Sequence, residues 1–385
     1  KGEKKDIVLE VSTSEELNGS YGLLLVEFSS KEGCWRNLCF FEAPPMVSTF
    51  PLLVSEDHVE IPVTVWNNTG VEKADLKVSV SCRGSMVFEK SLGIQAPLHR
   101  PFKTVVPLDL KSGEYLVNLV FSTGKAACRL LVEDFGGKAV AYKGDFDEDG
   151  LEEAVLENEQ VVAKVISPGG RLLQYRLKRV EADLLFKLYP KKPEDWRVSG
   201  RKRRFYPFGG LEEFIQQPTV EGHENFNIKV VKKEGSSAVV SAEADMNGNL
   251  LKKTFKLFGG TTLLEVMYEA DLVNPELNVI GVNPLIRLGN NVDASHVIYY
   301  PSKNGILKER YRGKLYGKRL FLEEGWIACY DEQEKLGLIM VYDAKTPFLT
   351  HIWMNTPENG DPRYSYIEIQ PWIRVNTGTT TYFTY

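Results

Sequence analysis

No apolar run in this chain approaches the ~20 residues that a membrane-spanning helix needs. The longest, such as Tyr21–Phe28, are the size of a strand. Also missing are a Gly-x-Ser-x-Gly elbow, a His-Glu-x-x-His helix, a phosphate-binding glycine loop and a Cys-x-x-Cys pair, so the common hydrolase, zinc-protease, nucleotide and thiol chemistries find no foothold. Basic residues are not in excess. Against 52 acidic side chains stand 47 Lys and Arg, a net charge of −5, and the one basic cluster is Arg201-Lys202-Arg203-Arg204. A general nucleic-acid binder should carry a basic stripe, so no nucleic-acid partner is expected. No repeat of 20–50 residues is visible, which argues against a propeller. What remains is ordinary globular composition, 43% hydrophobic and 26% charged over 385 residues, long enough for two or three domains.

Cysteine is scarce, with five in the chain. Cys34 and Cys39 flank a four-residue span that fits a hairpin bridge. Cys82 and Cys128 lie in separate strand-like runs, as a cross-strand pair would, and Cys329 is left over. Two bridges would place the chain in an oxidising compartment; the competing reading is five reduced, buried thiols. Asn18-Gly19-Ser20 and Asn67-Asn68-Thr69 are glycosylation sequons in turn-like sequence, which leans toward an extracellular or cell-surface setting. The chain opens on Lys1 rather than Met, which reads as a processed or trimmed product.

Strand signals dominate. Val59–Trp66 alternates apolar and polar residues and runs into Asn67-Asn68-Thr69-Gly70, a strand with one buried face leading into a turn. Leu76–Ser81, Tyr115–Phe121 and Cys128–Val132 follow at a spacing typical of an immunoglobulin-like sandwich over 51–135, with a strand-rich segment, 1–50, before it. This stretch resembles the immunoglobulin-like modules found beside glycan-active and cell-surface domains. After the linker Phe135-Gly136-Gly137-Lys138 the rest is a long succession of strands, which in one domain must close as a large antiparallel sandwich or barrel. Helical signals are weak, chiefly at Leu211–Ile215. The fold class expected is all-β.

Gly144-Asp145-Phe146-Asp147-Glu148-Asp149-Gly150 is the sharpest local motif. Asp145, Asp147 and Asp149 occupy positions 1, 3 and 5 of a calcium loop. Gly150 permits the turn, and the Leu151 carbonyl and Glu153 fall at positions 7 and 9. Position 12 is Leu156, not Glu, so a structural calcium pinning a turn between strands is expected rather than a helix–loop–helix hand. The competing reading is a solvated acidic turn.

The order of features after this loop carries a resemblance. Glu157-Asn158-Glu159-Gln160-Val161, then Pro168-Gly169-Gly170-Arg171-Leu172, resembles the opening strands of the galactose mutarotase-like (aldose epimerase-like) β-supersandwich. Phe208-Gly209-Gly210 sits where that family carries a His-Gly-Gly-like segment. Tyr366-Ile367-Glu368-Ile369-Gln370-Pro371-Trp372 resembles its terminal Glu-x-Gln strand, and Asn376–Phe383 its last turn and strand. The resemblance spans residues 140–385. It implies a carboxylate base at Glu368 and a histidine acid. The histidine positions hold Phe208 and Pro284, so half of the proton-transfer machinery is absent; His223, His296 and His351 are the available substitutes.

A face of this fold suits a glycan, which is bound by aromatic planes flanked by carboxylates and arginines. The candidate ligands are Trp196, Arg204, Glu212, Glu213, His223, Arg287, His296, Trp353, Glu368, Gln370 and Trp372. The competing reading puts Trp353 and Trp372 in the sandwich core. Glu368 and Gln370 are two apart and share one strand face, with Ile367 and Ile369 on the other. The resulting expectation is a non-catalytic, carbohydrate-binding or structural cell-surface protein that meets a glycan or surface polysaccharide, with the immunoglobulin-like module free to meet a protein partner. The alternative is a carbohydrate-active enzyme (epimerase, hydrolase or lyase) using Glu368 as base with Glu213 or His223.

Overall fold

The computed structural model describes residues 21–187 and 209–384, apart from 31–32, 43–46, 49–51, 55–57, 68–70, 99–100, 147, 149, 151, 216–223, 247, 272–278, 290–291, 323, 343–346, 357–363 and 376–379; over 21–42 and 380–384 it describes the backbone alone. The described residues are all-β, and none of them forms a helix long and apolar enough to cross a membrane. The chain divides into two compact units, Lys1–Glu133 and Asp134–Tyr385.

In the first unit a three-stranded sheet (Val47–Ser48, His58–Trp66, Pro101–Asp109) and a five-stranded one (Leu52–Val54, Gly124–Val132, Gly113–Phe121, Lys73–Cys82, Ser85–Gln95) enclose one core. The alternation in 59–66 places Val59, Ile61, Val63 and Val65 inside that core, against Leu76, Val78, Val80, Val117 and Leu119. Tyr115, near the start of its strand, donates its hydroxyl to the Lys111 carbonyl four residues upstream at 2.8 Å, a tyrosine-corner arrangement.

The cysteine expectations are corrected here. Cys34 and Cys39 lie five apart on one strand, Gly33–Glu42, paired with Ser29 and Leu24 respectively. Five residues of strand span roughly 16 Å, far beyond disulfide reach. Cys82 pairs with Tyr115 and Cys128 with Val117, so the Gly113–Phe121 strand runs between the two cysteines. Cys82, Cys128 and Cys329 form no disulfide, and burial pushes the Cys329 thiol well above its usual range. The described thiols therefore say nothing for an oxidising compartment. The sequon at Asn67 fares no better. Asn67 is buried, and its Nδ2 donates to the carbonyls of Val71 (2.9 Å) and Ala96 (2.7 Å), leaving no accessible amide to carry a glycan.

The second unit is built on an eleven-stranded sheet. Toward one end its order is Arg171–Leu177, Leu211–Ile215, Val279–Ile286, Tyr366–Arg374, Pro347–Asn355, with Tyr316–Leu320 at the edge. A five-stranded sheet running from Asn227–Lys232 to Thr380–Thr384 and a four-stranded sheet running from Gly305–Arg310 to Leu336–Val341 accompany it. One hydrophobic core joins Ile280, Val282, Ile367 and Ile369 of the large sheet to Leu251, Phe255 and Val266 of the five-stranded sheet. Leu211–Ile215 is a strand, not a helix: it is locked between Leu172 on one side and Ile280–Pro284 on the other, and two neighbours' hydrogen bonds outweigh the propensity of five residues. Gly209 and Gly210 deliver it there. Both have positive φ (+88° and +87°), and a Cβ on either would come within 2.5 Å of the carbonyl oxygen of Phe186 or Leu172.

The opening motif of this unit holds the sheets together. Asn158 donates Nδ2 to the Phe258 and Thr261 carbonyls, both at 2.7 Å, and its Oδ1 accepts the Gln160 and Val161 N–H groups. Gly170 has φ +53°, and a side chain there would strike the Phe226 ring. Arg171, at the end of the motif, turns into the site described next.

Candidate functional site

Strand alternation and register converge on one face of the large sheet. Leu172 opposes Leu211, so Arg171 is level with Glu212; Glu212 opposes Asn283; Asn283 falls level with Gln370; Gln370 opposes His351; His351 opposes Arg319. Six polar residues thus form a file across six adjacent strands. The next file holds Leu285, Glu368 and Trp353, and Trp372 lies two residues beyond Gln370 on the same face. The opposite face carries Val282, Ile352, Ile367 and Ile369 into the core. One strand with alternating Glu/Gln/Trp and Ile therefore builds the core and the polar face at once.

The file changes from buried to open along its length. Arg171, Glu212, Asn283, Glu368 and Gln370 are buried; His351, Trp353 and Trp372 are half-buried; Arg319 is exposed. Arg171 Nη1 donates to Glu212 Oε1 at 2.5 Å, and the Gly209 N–H donates to the same oxygen at 3.0 Å. Gln370 Nε2 donates to Glu368 Oε2, while Gln370 Oε1 accepts the Trp372 indole N–H at 3.2 Å and lies 3.2 Å from His351 Nδ1. Gln370 is the hub: one amide joins a carboxyl, an indole and an imidazole. The His351 ring meets Trp353 and Trp372 edge-on, at 5.8 and 5.9 Å between centroids, and the Arg319 guanidinium lies 5.9 Å from the Trp372 ring.

Burial sets the protonation of these groups. It pushes the Glu368 carboxyl up to about 8, against the opposing pull of the Gln370, Asn283 and Tyr366 side chains that face it. Burial raises Glu212 well above the usual carboxylate range too; Arg171 works against this, and the neighbouring Glu368 charge adds to it. Burial, and secondarily the Arg319 charge, hold His351 below the ordinary imidazole value despite its bond to Gln370. At neutral pH this face therefore carries a largely neutral Glu368 beside a neutral His351.

Of the eleven ligand candidates, Glu212, Trp353, Glu368, Gln370 and Trp372 meet on this face. Arg287 stands at its margin, its guanidinium 5.1 Å from the Phe186 ring, which in turn packs on Tyr366 at 5.0 Å. Trp196, Arg204 and His223 lie outside the described residues. Glu213 and His296 are elsewhere. Glu213 points to the core, where its Oε1 accepts the Tyr268 hydroxyl at 2.6 Å and its Oε2 accepts Lys253 Nζ. His296 is buried in the four-stranded sheet, with Nε2 3.2 Å from the Leu288 carbonyl and Asp331 3.8 Å away. Arg171, Asn283, Arg319 and Tyr366 were not singled out as ligands from sequence, and His351 only as a spare acid. Their signal was register, which needs the partner strand to be known.

In the acidic loop, Asp147, Asp149 and Leu151 lie outside the described residues. Asp145 Oδ2 accepts the Gly150 N–H at 2.8 Å. Glu153 is buried and turned inward, bonded to Lys164 Nζ (3.1 Å) and the Phe146 N–H (3.0 Å), so its charge is already balanced within the protein.

No protein-family model matches the chain, and no curated protein matches its sequence. Among solved structures it is similar to a mutarotase candidate from Salmonella typhimurium, at 13% identity over 64% of this chain and 92% of that one, with a TM-score of 0.46. It is similar also to a galactose mutarotase-like protein from Lactobacillus casei (11% identity, 60% and 97% covered, TM-score 0.41) and an aldose epimerase homologue from C. elegans (12%, 59% and 94%, 0.38).

Proposed function

We propose that the polar face of the large sheet binds carbohydrate. The observation that carries this reading is the placing of two half-buried tryptophans directly beside a buried carboxyl and a buried amide. Trp353 opposes Glu368, and Trp372 bonds Gln370. Sugar rings present C–H patches to aromatic planes and hydroxyls to paired donors and acceptors, and this face offers both within one cross-strand neighbourhood. The gradient of exposure supplies an approach: solvent at Arg319, tryptophans next, carboxyls at the floor. On a glycan array, the full chain is expected to retain a defined set of glycans, and Trp372→Ala to lose them by tenfold or more in affinity, roughly one stacked aromatic contact. Retention of the same glycans at unchanged affinity by Trp372→Ala and Trp353→Ala would end this reading.

A second reading is favoured by one feature. A carboxyl held near 8 and an imidazole held neutral, joined through Gln370, are suited to exchanging protons near neutral pH. Under it, Glu368 is the base of an anomeric proton transfer and His351 stands in for the absent family histidine. Polarimetry of freshly dissolved aldoses separates the two: acceleration abolished by Glu368→Gln marks an enzyme, and no acceleration marks a binding protein.

The remaining parts of the proposal are a calcium ion held by Asp145, Asp147, Asp149 and the Leu151 carbonyl, an immunoglobulin-like character for the first unit, and an extracellular or cell-surface setting with a protein partner at that unit. The tyrosine corner at Tyr115 supports the second of these. Millimolar calcium is expected to raise the melting temperature, with reversal by chelator and loss of the effect in Asp145→Asn. An unchanged melting temperature would remove calcium from the account.

A further inference from the structure

Glu212 has one carboxylate oxygen in use and one idle. Oε1 accepts from Arg171 and from the Gly209 N–H, but Oε2 is fully buried with no hydrogen-bond partner among the described residues. An unpaired buried acceptor costs about 1–3 kcal/mol, more when charged, and folded proteins rarely leave one without a purpose. This one lies on the ligand face, on the strand beside Asn283, and Glu368 stands on the next strand but one.

The surroundings narrow the donor it awaits. A neutral hydroxyl would satisfy one oxygen and leave two buried acids facing each other. An ammonium group has three donors and a positive charge, so it pairs with Glu212 Oε2, reaches toward Glu368, and stabilises both as carboxylates. Arg171 does not already fill that role, since its Nη1 is directed at Glu212 Oε1 and the Gly209 carbonyl. Trp353, opposite Glu368, supplies an aromatic surface of the kind that accompanies bound cations. We propose that this face takes a sugar bearing a free, protonated amino group, an unacetylated aminosugar, with the ammonium seated between Glu212 Oε2 and Glu368. The inference rests on the carbohydrate-binding reading and specifies its ligand. It has a proton consequence: Glu368 is protonated when the face is empty and gives up that proton to solvent when the cation arrives.

Calorimetry of the full chain with glucosamine, glucose and N-acetylglucosamine at pH 6.5 tests it. Glucosamine is expected to bind at least about tenfold more tightly than the other two, and its binding to release a proton, read as a heat that depends on the ionisation enthalpy of the buffer. Glu212→Gln should abolish the preference for glucosamine over glucose. If that variant does not fold, proton release by the unaltered chain decides alone. Equal affinity for glucosamine and glucose, with no proton released, overturns the inference and leaves the carbohydrate reading standing. Absence of binding by all three sugars at millimolar concentration overturns both.

Discussion

Replacing Lys253 by Met is expected to destabilise the second unit by about 3–5 kcal/mol, the cost of leaving a buried charge without its partner. Lys253 is wholly buried between the two larger sheets. Its Nζ donates to Glu213 Oε2 and, at 2.6 Å, to the Gly169 carbonyl, and it lies 4.9 Å from the Phe226 ring. Removing the ammonium strands the Glu213 carboxylate and the Gly169 carbonyl together. The double variant Lys253→Met/Glu213→Leu should recover most of the loss, because an apolar pair of similar volume does not carry the desolvation cost of two ions. Urea unfolding of the three proteins measures this. A single variant within 1 kcal/mol of the parent would show that this pair does not bear on stability.

Glu368 should make the protein less stable as pH rises. Its folded carboxyl sits near 8 while the unfolded one titrates near the ordinary carboxylate value of 4.5, so the folded state holds an extra proton across that interval. The stability this contributes is fully present below pH 4.5 and lost as pH climbs through 8, a change on the order of a few kcal/mol. Glu368→Gln keeps the size of the side chain, removes the proton, and should flatten this part of the profile, leaving the variant the more stable of the two at pH 8–9. Buried Glu212 shifts in the same direction, so the difference between the two profiles, not either alone, reports Glu368. Parallel profiles for parent and variant would place the Glu368 carboxyl in water.

These two acids show how much of the site could be read before the fold was known. Glu368-Ile369-Gln370 announced its own geometry: alternation put two polar groups on one face and the isoleucines on the other, and the sheet keeps that arrangement. What alternation within one strand does not reveal is what lies across from it. Arg171, Asn283, His351 and Arg319 come from four other strands, and their meeting depends on registers fixed by the whole sheet. Glu212 and Glu213 are the instructive pair. Taken together as ligands, they are neighbours on one strand and must point to opposite sides. Had Leu211–Ile215 been read as a strand, one glutamate would have been assigned to the core at once.

The cysteine reading failed for a related reason. Cys34 and Cys39 are close in sequence and far apart in an extended strand, whereas Cys82 and Cys128 share a sheet but not a border. Sequence spacing limits how far apart two residues can be; only pairing tells whether they touch. Asn67 met the motif for glycosylation, yet its amide is spent on the Val71 and Ala96 carbonyls instead. In each case the local motif was present and the tertiary context had already used it.

A crystal of the full chain soaked in a millimolar hexose or hexosamine puts the account to its hardest trial. The sugar is expected against the Trp353 and Trp372 side chains, with hydroxyl or amino groups within 3.2 Å of the Glu368 carboxyl and the Gln370 amide. Sugar bound elsewhere on the protein, with that file of polar side chains closed over itself, would contradict it.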